Sequence, residues 1–588
     1  MADPITDPQA DNENGSPDEE TSETAVPIST KIVNGQSVID PVSRIEGHLR
    51  IDMEVKDSVV VDAWISGTLF RGMELVLRGK EPTDAAIISQ RICGVCPVSH
   101  AHVSSQAAEI AMDIQIPNGA RIIRNILEGA QFLHSHILWF YNLAALDYVN
   151  PLNALKADPR ATLQLAFNAG TSITDFGAVQ KRLEAFAENG QLSIFSGNWF
   201  DTEDDAYNLP PELDLICTAH YLEALEMQAV ASEISGLIGG KMPHIMTSIP
   251  GGTSYVPTEE KLDDVLFRAI RLRDWVAATM IPDTYAIAPY YLDVAGYGMG
   301  VKRFAAWGVF DSESFAPGDR YLPAGMWDMA DGGGVVLPEE EAITEETIRS
   351  FYKDSGAPVN PRQGITDPEY PAEGRTREGR YTWIKAPRYN GKPYEVGGLA
   401  RLLVAYNSGN TFVKTEIDAL LRYLSSKAGA TLGVEALAST LGRTAARNIE
   451  TLYVANSMVD WIQELTVAIQ EGNADTFTKP NRKSGEGTGM WEAPRGALYH
   501  HEKVTNNVID DYQIIIPSTW NVSPRDAGGV RGPMEEALIG VPVQDLEKPI
   551  HALRTVHSFD PCIACAVHIT EPATGKTFST VTSPWGVK

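Results

Sequence analysis

The chain contains two short motifs whose residue types are those of metal ligands. Four of its five cysteines form two CxxC pairs, and a histidine follows each pair. The two motifs are RICGVCPVSH, with Cys93, Cys96 and His100, and DPCIACAVH, with Cys562, Cys565 and His568. Two thiols at this spacing can hold one metal ion from the same side, and four thiols can complete a site. We therefore expect both motifs to contribute to one metal centre.

The spacing of the cysteines leaves the identity of the metal open. Two CxxC pairs most commonly form a structural zinc site, but zinc ribbons place their pairs close together in the sequence. Here Cys93 and Cys562 stand near opposite ends of a 588-residue chain, which favours a centre that performs chemistry. Nickel and iron also accept thiolate ligands. Neither pair is followed directly by histidine, as covalent haem attachment requires. Zinc, nickel and iron are the candidates on spacing alone.

The overall composition argues against several classes of protein. At 588 residues and 43% hydrophobic, the chain can bury a large core of several packed subdomains. Its net charge of −29 argues against binding to nucleic acid or to anionic membrane surfaces. Residues 1–30 are acidic and lack Lys and Arg, so we expect a disordered tail rather than a secretory signal. No apolar run is long enough to span a bilayer, and five cysteines form no disulfide framework.

The periodicity of the apolar residues predicts a helix-dominated α+β fold. Residues 31–66 alternate with a period near two, which predicts strands with a hairpin. Apolar residues recur at helical spacing in four long segments, which are 119–149, 211–238, 257–280 and 433–471. We expect a central bundle of these helices, with a helical region 67–284 that carries the first CxxC pair and a helical region 401–568 that ends in the second. Residues 285–400 are rich in Gly, Pro and aromatic residues and predict irregular structure with short strands.

Seven stretches of the sequence resemble [NiFe]-hydrogenase large subunits, in the same order as in that family. Besides the two CxxC motifs they are DPVSRIEGHLRI (40–51), TLFRGMELVLRG (68–79), STLGRTAAR (439–447), APRGAL (493–498) and PSTWNVSPRD (517–526). The resemblance extends from about residue 31 to the end of the chain. It implies the α+β fold of that family and an enzyme that cleaves H2 reversibly into protons and electrons. The electrons would pass to an iron–sulfur small subunit.

The resemblance also implies a centre of two metals. Nickel would be bound by Cys93, Cys96, Cys562 and Cys565, and two of these, Cys96 and Cys565, would bridge to an iron that carries carbonyl and two cyanide ligands. Heterolysis of H2 into a proton and a hydride needs a Lewis acid beside a base, and Cys562 is the expected first proton acceptor. Glu46, in RIEGH, would take the proton next. Without the resemblance, Glu46 would be interpreted as a solvated strand residue.

A second cation site is implied near the C-terminus. Glu74 would bind magnesium or iron together with His568 and the backbone carbonyl of Ile514, because hard cations prefer oxygen ligands. On its own pattern, Glu74 would be an ordinary charge on a helix surface.

Four further residues are expected around the metals. His100 would form a hydrogen bond to a bridging sulfur, although by itself it could be a core histidine. Arg495 would place its guanidinium over the open side of the metals near a cyanide, with Asp560 holding it, and Ser518 would donate to the other cyanide. Each of these three could instead be purely structural. Family members commonly carry an aspartate near Arg495 where this chain has Ser135, so we expect one side of Arg495 to be neutral.

The remaining cysteine predicts a partner protein. Cys217 lies in a predicted amphipathic helix, and we expect a small buried hydrophobe there. One thiol cannot hold an iron–sulfur cluster, so electrons must leave through another subunit, which the family supplies as the small subunit of a heterodimer. In many members that subunit carries the export signal. This implies a periplasmic or membrane-associated location, with a cytoplasmic one as the alternative.

The end of the chain predicts proteolytic processing. Residues 569–588 are polar and lack amphipathic periodicity. The resemblance implies that a maturation endoprotease cuts after His568 once metal-insertion proteins have delivered nickel, so that the active protein ends at His568.

Two functions from other classes are the alternatives. The chain could be an H2-sensing regulatory relative, although such sensors typically lack a C-terminal extension. It could also be a structural subunit like those of quinone oxidoreductases, although these have lost the four cysteines.

Overall fold

The computed structural model describes residues 32–190, 206–353 and 356–563. Two predicted features, the acidic tail 1–30 and the C-terminal extension 569–588, lie outside the described residues.

The first strands form a three-stranded antiparallel sheet at the start of the described chain. In sequence and spatial order they are β1 Gly35–Ile39, β2 Leu49–Lys56 and β3 Val59–Gly67. Asp57 and Ser58 join β2 to β3 with φ angles of 50° and 62°. Two consecutive residues in this left-handed region match the right-handed twist of the flanking strands. The strands predicted in 31–66 are confirmed.

Helices are the most abundant secondary structure in the described chain. They are α1 Met73–Leu77, α2 Pro82–Ile88, α3 Pro97–Met112, α4 Asn118–Ile137, α5 Pro159–Ala169, α6 Phe176–Glu188, α7 Pro211–Gly239, α8 Glu259–Trp275, α9 Ile281–Ile287, α10 Gly398–Asn407, α11 Thr411–Ala428, α12 Thr440–Gln470, α13 Pro517–Asn521, α14 Pro533–Leu538 and α15 Ile550–Ser558. Four of these, α4, α7, α8 and α12, pack against one another as the predicted central bundle. Beyond Ile137, α4 continues as a π-helical segment, Leu138–Ala144. All four long helical predictions are confirmed.

A glycine allows the two central helices of the bundle to approach closely. A Cβ added at Gly129 of α4 would collide with the Met458 sulfur of α12 and lie 3.2 Å from the Trp461 ring. Protein interiors are packed without room for such an atom. Gly129 therefore sets the distance between α4, which follows the first CxxC pair, and α12.

The middle of the chain consists of short strands and turns. Its strands pair as hairpins or local ladders: β4 Ser248–Ile249 with β5 Gly252–Thr253, β6 Arg303–Ala306 with β7 Gly325–Asp328, and β8 Ile343–Glu346 with β9 Ala386–Tyr389. The prediction of irregular structure with short strands in 285–400 is confirmed.

A second three-stranded sheet corrects the prediction of a helical region 401–568. Its antiparallel strands are β10 Gly485–Ala493, β11 Gly496–Thr505 and β12 Val508–Ile515. Helix α3 packs on this sheet so closely that a Cβ at Gly487 would collide with the carbonyl oxygen of Ala107. Glycine takes the place of an apolar side chain at such contacts, so the period-two pattern of β10 is hidden in the sequence.

One hydrophobic cluster connects these elements within the described residues. It includes the N-terminal sheet, the bundle helices and the turn that carries Cys562. Among the described helices, none is both long enough and apolar enough to cross a lipid bilayer.

Candidate metal centre

The two ends of the chain meet at a buried cluster of thiols. The Sγ atoms of Cys93, Cys96 and Cys562 all lie within 4.8 Å of one another. Those of Cys93 and Cys562 are 3.4 Å apart, and all three residues are at most 2% exposed. Three soft ligands converging on one point are suited to a soft or borderline metal ion. The fourth predicted ligand, Cys565, lies outside the described residues.

Helix α3 and the turn before it fix the first cysteine pair. Cys96 is the N-cap residue of α3, and Pro97 occupies the first helical position, where proline is favoured because its backbone needs no hydrogen bond there. The Cys93 sulfur accepts hydrogen bonds from the backbone N–H groups of Val95, at 3.3 Å, and Cys96, at 3.2 Å. Such donors stabilise the thiolate form that binds metals.

The C-terminal cysteine is held by two distant segments. The Cys562 N–H donates to the Ser518 hydroxyl at 2.9 Å. The N–H of the next residue, Ile563, donates to the backbone carbonyl of Glu46 at 2.7 Å. The chain segments of Glu46 and Cys562 thereby pair as an isolated parallel bridge, so the thiol and the predicted proton acceptor have a fixed relative position.

The carboxylate of Glu46 contacts the sulfur of Cys562. The Cys562 Sγ donates to Glu46 Oε2 at 3.1 Å. A carboxylate at this distance can take a proton from the thiol without an intervening group. The structure therefore brings together the two residues predicted to move the proton.

The loop that carries Glu46 is held by a clamp of Arg44, Asp147 and His557, none of which was predicted from the sequence. The carboxylate of Asp147 accepts from Arg44 at 2.5 Å and pairs with His557 Nδ1 at 2.7 Å. The other imidazole nitrogen of His557 lies 2.8 Å from the Ser43 carbonyl. Burial raises the pKa of Asp147, but Arg44 and His557 lower it more strongly, to about 2. The ionised clamp fixes the backbone next to Glu46.

Arg495 lies beside the thiols, and part of its guanidinium has no hydrogen-bond partner among the described residues. Its Nη2 pairs with Asp560 Oδ1 at 3.0 Å, whereas its buried Nε and Nη1 have no hydrogen-bond partner within the described part of the chain. Burial lowers the pKa of this guanidinium, but the charges of Asp560 and of the three cysteines outweigh burial and raise it well above its ordinary value. Arg495 therefore remains a cation with free donors at the thiol cluster.

His100 belongs to a buried chain of imidazoles. Its Nδ1 lies 3.2 Å from His500 Nε2, and His500 Nδ1 lies 2.8 Å from the Tyr512 hydroxyl. Burial lowers the pKa of His100 to about 4, so the ring is neutral. If His100 and His500 each accept a hydrogen bond at Nδ1, the Nε2–H of His100 remains as a donor. This Nε2 has no hydrogen-bond partner among the described residues. Neither His500 nor Tyr512 was predicted from the sequence.

The predicted second cation site is also a cluster of polar groups. Glu74 is buried and accepts from the Ile514 N–H at 3.0 Å and from the Thr366 hydroxyl. Lys385 Nζ lies 3.8 Å from Glu74 and 3.2 Å from Glu345. The structure thus places Glu74 beside the Ile514 backbone, through its N–H and not through the carbonyl predicted as a ligand, and adds a lysine that was not predicted. His568 lies outside the described residues.

Two other sequence predictions concern single buried residues. Ser135 is fully buried, and its hydroxyl finds no hydrogen-bond partner among the residues described, so it gives Arg495 no charged support. Cys217 lies in α7 and is 4% exposed. Its burial confirms the prediction of a small buried hydrophobe, and burial also raises the pKa of its thiol well above the ordinary value.

The residues present fit a thiolate-bound nickel–iron group. Three converging sulfurs supply soft ligands. The unpaired N–H groups of Arg495 and the lone Nε2 of His100 are buried polar atoms that require partners. Ligands on a metal at the cluster would provide such partners.

Comparison with known proteins gives matches along nearly the whole chain. The family model described as nickel-dependent hydrogenase matches residues 71–568, and one described as HoxL-like matches residues 36–63. The Hydrogenase-2 large chain of Escherichia coli (strain K12) is 39% identical over 555 residues, which cover 91% of this chain and 97% of that protein. The uptake hydrogenase large subunit of Rhodobacter capsulatus is 37% identical over 574 residues, covering 90% of this chain and 95% of that protein.

Solved structures give a consistent result. A variant of the [NiFeSe] hydrogenase from Desulfovibrio vulgaris Hildenborough matches with a TM-score of 0.76 and 34% identity, covering 91% of this chain and 100% of that chain. A reduced, active form of the Ni-Fe-Se hydrogenase from Desulfomicrobium baculatum matches with a TM-score of 0.75 and 33% identity, with the same coverage.

Proposed function

The chain belongs to the nickel-dependent hydrogenase family and is the large, catalytic subunit of a [NiFe] hydrogenase, an oxidoreductase that acts on H2, and on this basis we propose the role of each residue at its centre. Cys93, Cys96, Cys562 and Cys565 bind nickel, and Cys96 and Cys565 also bridge to iron. The convergence of the three described sulfurs within 4.8 Å is the observation that carries this assignment. A regulatory H2 sensor is not favoured, because the similar curated proteins are hydrogenase large chains and uptake hydrogenases.

The protein environment supports diatomic ligands on the iron. We assign one carbonyl and two cyanide ligands to the iron. When bound, the nickel–iron group would supply the Lewis acid that polarises H2. Two nitrogens of Arg495, Nε and Nη1, have no partner among the described residues and can donate to one cyanide. Ser518 accepts from the Cys562 N–H, so its own hydroxyl hydrogen is available for the other cyanide. Asp560 holds Arg495 in place through their 3.0 Å ion pair.

The proton leaves through Cys562 and Glu46. The Cys562 thiolate acts as the base that accepts a proton from H2, because thiolates titrate closer to neutrality than alcohols and can be reprotonated readily. The resulting S–H donates to Glu46 Oε2 at 3.1 Å. Glu46 then carries the proton away from the metals and regenerates the thiolate. The ring of His100 is neutral, so it does not compete for the proton, and its Nε2–H is available as a donor to the completed centre.

A magnesium or iron ion at the second site closes the C-terminus onto the core. Its proposed ligands are the Glu74 carboxylate, the Ile514 carbonyl and His568. The contact of Glu74 with the Ile514 backbone supports this assignment, and Lys385 would interact with a water ligand or with Glu74 itself.

The electrons pass to an iron–sulfur small subunit in a heterodimer. This proposal is supported by relatives named large chain and large subunit. It is also supported by the four described cysteines, of which three belong to the metal centre and Cys217 is buried apart. We further propose that metal-insertion proteins and an endoprotease that cuts after His568 complete the centre. The compartment we propose is the periplasm or the periplasmic membrane surface, reached with the small subunit, with the cytoplasm as the alternative.

The direct test of this function is H2-dependent reduction of a dye by the purified heterodimer. Cys562→Ser should abolish the reaction, because a serine alkoxide is neither a soft ligand nor a base of the required pKa. Cys217→Ser is the matched control, since it changes a buried thiol outside the centre and should retain activity. A Cys562→Ser heterodimer that oxidises H2 at the wild-type rate would disprove the proposed role of the cluster.

A further inference from the structure

A second arginine grips the backbone that carries Arg495. Arg401 of α10 is fully buried. Its Nη1 donates to the carbonyl oxygen of Ala493 at 3.0 Å, and its Nη2 donates to that of Pro494 at 2.8 Å. These are the two carbonyls immediately before Arg495. The position of the Arg495 backbone is therefore tied to the guanidinium of Arg401.

Arg401 is itself fixed by two buried carboxylates. Glu450 of α12 accepts from Nε at 2.6 Å and from Nη2 at 2.7 Å, and Glu492 of β10 accepts from Nη1 at 2.6 Å. His136 of α4 lies 2.9 Å from the same Glu450 carboxylate. All five N–H groups of the Arg401 guanidinium thus have acceptors, which only arginine can provide in this planar arrangement. Arg401, through Glu450 and His136, links the 493–494 backbone to α12 and α4, the two central helices of the bundle.

The other side of the Arg495 backbone is enclosed by glycine. Gly397 has φ 120°, and a Cβ added there would lie 3.1 Å from the Arg495 carbonyl oxygen. Gly496 has φ 130°, and its added Cβ would lie 2.6 Å from the Gly397 nitrogen. Two backbone segments pack directly on each other here, so the peptide on either side of Arg495 has little room to move.

The tip of Arg495 has much weaker support. Asp560 is its one ion-pair partner among the described residues, and the buried hydroxyl of Ser135 makes no hydrogen bond within the described chain. With one ion pair at its tip, the guanidinium also depends for its position on where the Arg495 backbone is held. The backbone around Arg495 therefore contributes to its placement beside the thiols.

We propose that Arg401 is a positioning residue for Arg495: by holding the Ala493 and Pro494 carbonyls, it fixes where the Arg495 guanidinium lies over the metal centre. This inference rests on the role proposed above for Arg495. Arg401 does not touch the reacting atoms; its effect reaches them through two peptide groups. Displacing a catalytic group by a fraction of an ångström to one ångström can cost on the order of 100-fold in rate.

The test compares two equally buried arginines in the complete heterodimer. Arg401→Lys keeps the charge but cannot hold two carboxylates and two carbonyls together. Arg388 offers the matched control, because it is also fully buried and donates to three backbone carbonyls, those of Pro387 at 2.9 Å, Pro524 at 3.1 Å and Val530 at 3.0 Å. Both lysine variants should lower the melting temperature by similar amounts.

The two variants should differ at the metals. We expect Arg401→Lys to lower kcat for H2 oxidation by about 10-fold to 100-fold, with KM for H2 nearly unchanged, and to shift the electron paramagnetic resonance g-values of nickel. Arg388→Lys should leave kcat and the g-values as in the wild type. Wild-type kcat and g-values in Arg401→Lys would overturn the proposal, as would equal kinetic and spectral changes in both variants.

A milder variant covers the case in which Arg401→Lys does not fold. Glu492→Gln weakens the carboxylate contact of Arg401 Nη1 while keeping an oxygen that can accept the backbone N–H of Trp307. It should change kcat and the g-values in the same direction but less, and unchanged values would again overturn the proposal.

Arg495→Lys, measured in parallel, separates two kinds of failure. If Arg495→Lys leaves kcat and the g-values unchanged, the role proposed for Arg495 is wrong, and the inference about Arg401 is then wrong as well. If Arg495→Lys changes them and the Arg401 and Glu492 variants do not, only the inference about Arg401 is wrong.

Discussion

The sulfur of Cys562 and the carboxylate of Glu46 are 3.1 Å apart, although 516 residues separate them in the chain. Their backbones also pair, through the Ile563 N–H and the Glu46 carbonyl at 2.7 Å. This backbone pairing fixes the main-chain positions of both segments, so the Glu46 carboxylate stays within reach of the Cys562 thiol. This relationship makes Glu46 the residue on which proton release depends.

Replacement of Glu46 by glutamine should separate chemistry at the metals from proton release. Glutamine keeps the size and an acceptor oxygen but cannot relay a proton, so net H2 oxidation should fall by on the order of 10²-fold to 10⁴-fold. Conversion of para-hydrogen to ortho-hydrogen, which needs no exit of the proton, should largely persist. Glu54→Gln, at an exposed position of β2, is the control and should change neither rate. Normal H2 oxidation by Glu46→Gln would show that Glu46 is only structural.

Asp147→Asn tests the clamp behind Glu46. The neutral amide cannot bind Arg44 and His557 as an anion does, so the variant should be less stable at neutral pH and should oxidise H2 more slowly. Asp283→Asn is the matched control, because Asp283 is a buried carboxylate that pairs with His220 at 2.8 Å and has no contact with the Glu46 loop among the described interactions. Equal turnover in the two variants would contradict the clamp's role in positioning Glu46.

The stability contributed by Asp147 should depend on pH with a definite sign. Its pKa is lowered from 3.8 to about 2 in the folded state, so the folded protein binds fewer protons than the unfolded chain in that range. The contribution of Asp147 to stability is complete at pH values above its pKa in the unfolded chain. It is lost as the pH falls through the pKa of Asp147 in the folded protein. The shift corresponds to on the order of 2 kcal/mol. Urea unfolding should show that wild type and Asp147→Asn differ less as pH decreases from about 4 toward 2; a constant difference would contradict the assignment.

Processing after His568 gives a prediction about mass. If His568 binds the second cation in the core, the extension 569–588 must either thread out of the core or be removed, and we expect removal. Intact-mass measurement of the large subunit should give a chain ending at His568 from nickel-replete cells and the full-length chain from cells grown without nickel. Fully active enzyme that retains the extension would show that cleavage is not required.

The sequence was sufficient to predict the thiol cluster, because both CxxC pairs and their flanking motifs are local patterns. The long bundle helices were predicted for the same reason, since each repeats its apolar spacing over many residues. The strands β10 to β12 were not predicted. Glycines such as Gly487 replace apolar residues where α3 approaches, and this removes the alternation by which strands are recognised.

The supporting residues of the site could not be predicted for a different reason. Arg401 acquires its function from carbonyls 92 and 93 positions away, and His557 acquires its own from Asp147, 410 positions away. Nothing in the neighbourhood of either residue in the sequence marks it. Lys385, beside Glu74, is likewise recognised only once the chain has folded. Burial of a charged group with a partner from a distant segment is a property of the tertiary structure.

Metal analysis of the purified heterodimer from nickel-replete cells tests the central claim most directly. Wild type and Cys217→Ser should each contain stoichiometric nickel, iron in excess of nickel because the small subunit also carries iron, and no stoichiometric zinc, because Cys217 lies outside the thiol cluster. Cys93→Ser should lose the nickel, since a hydroxyl replaces one of the converging sulfurs. A wild-type protein filled with zinc and free of nickel would contradict the account.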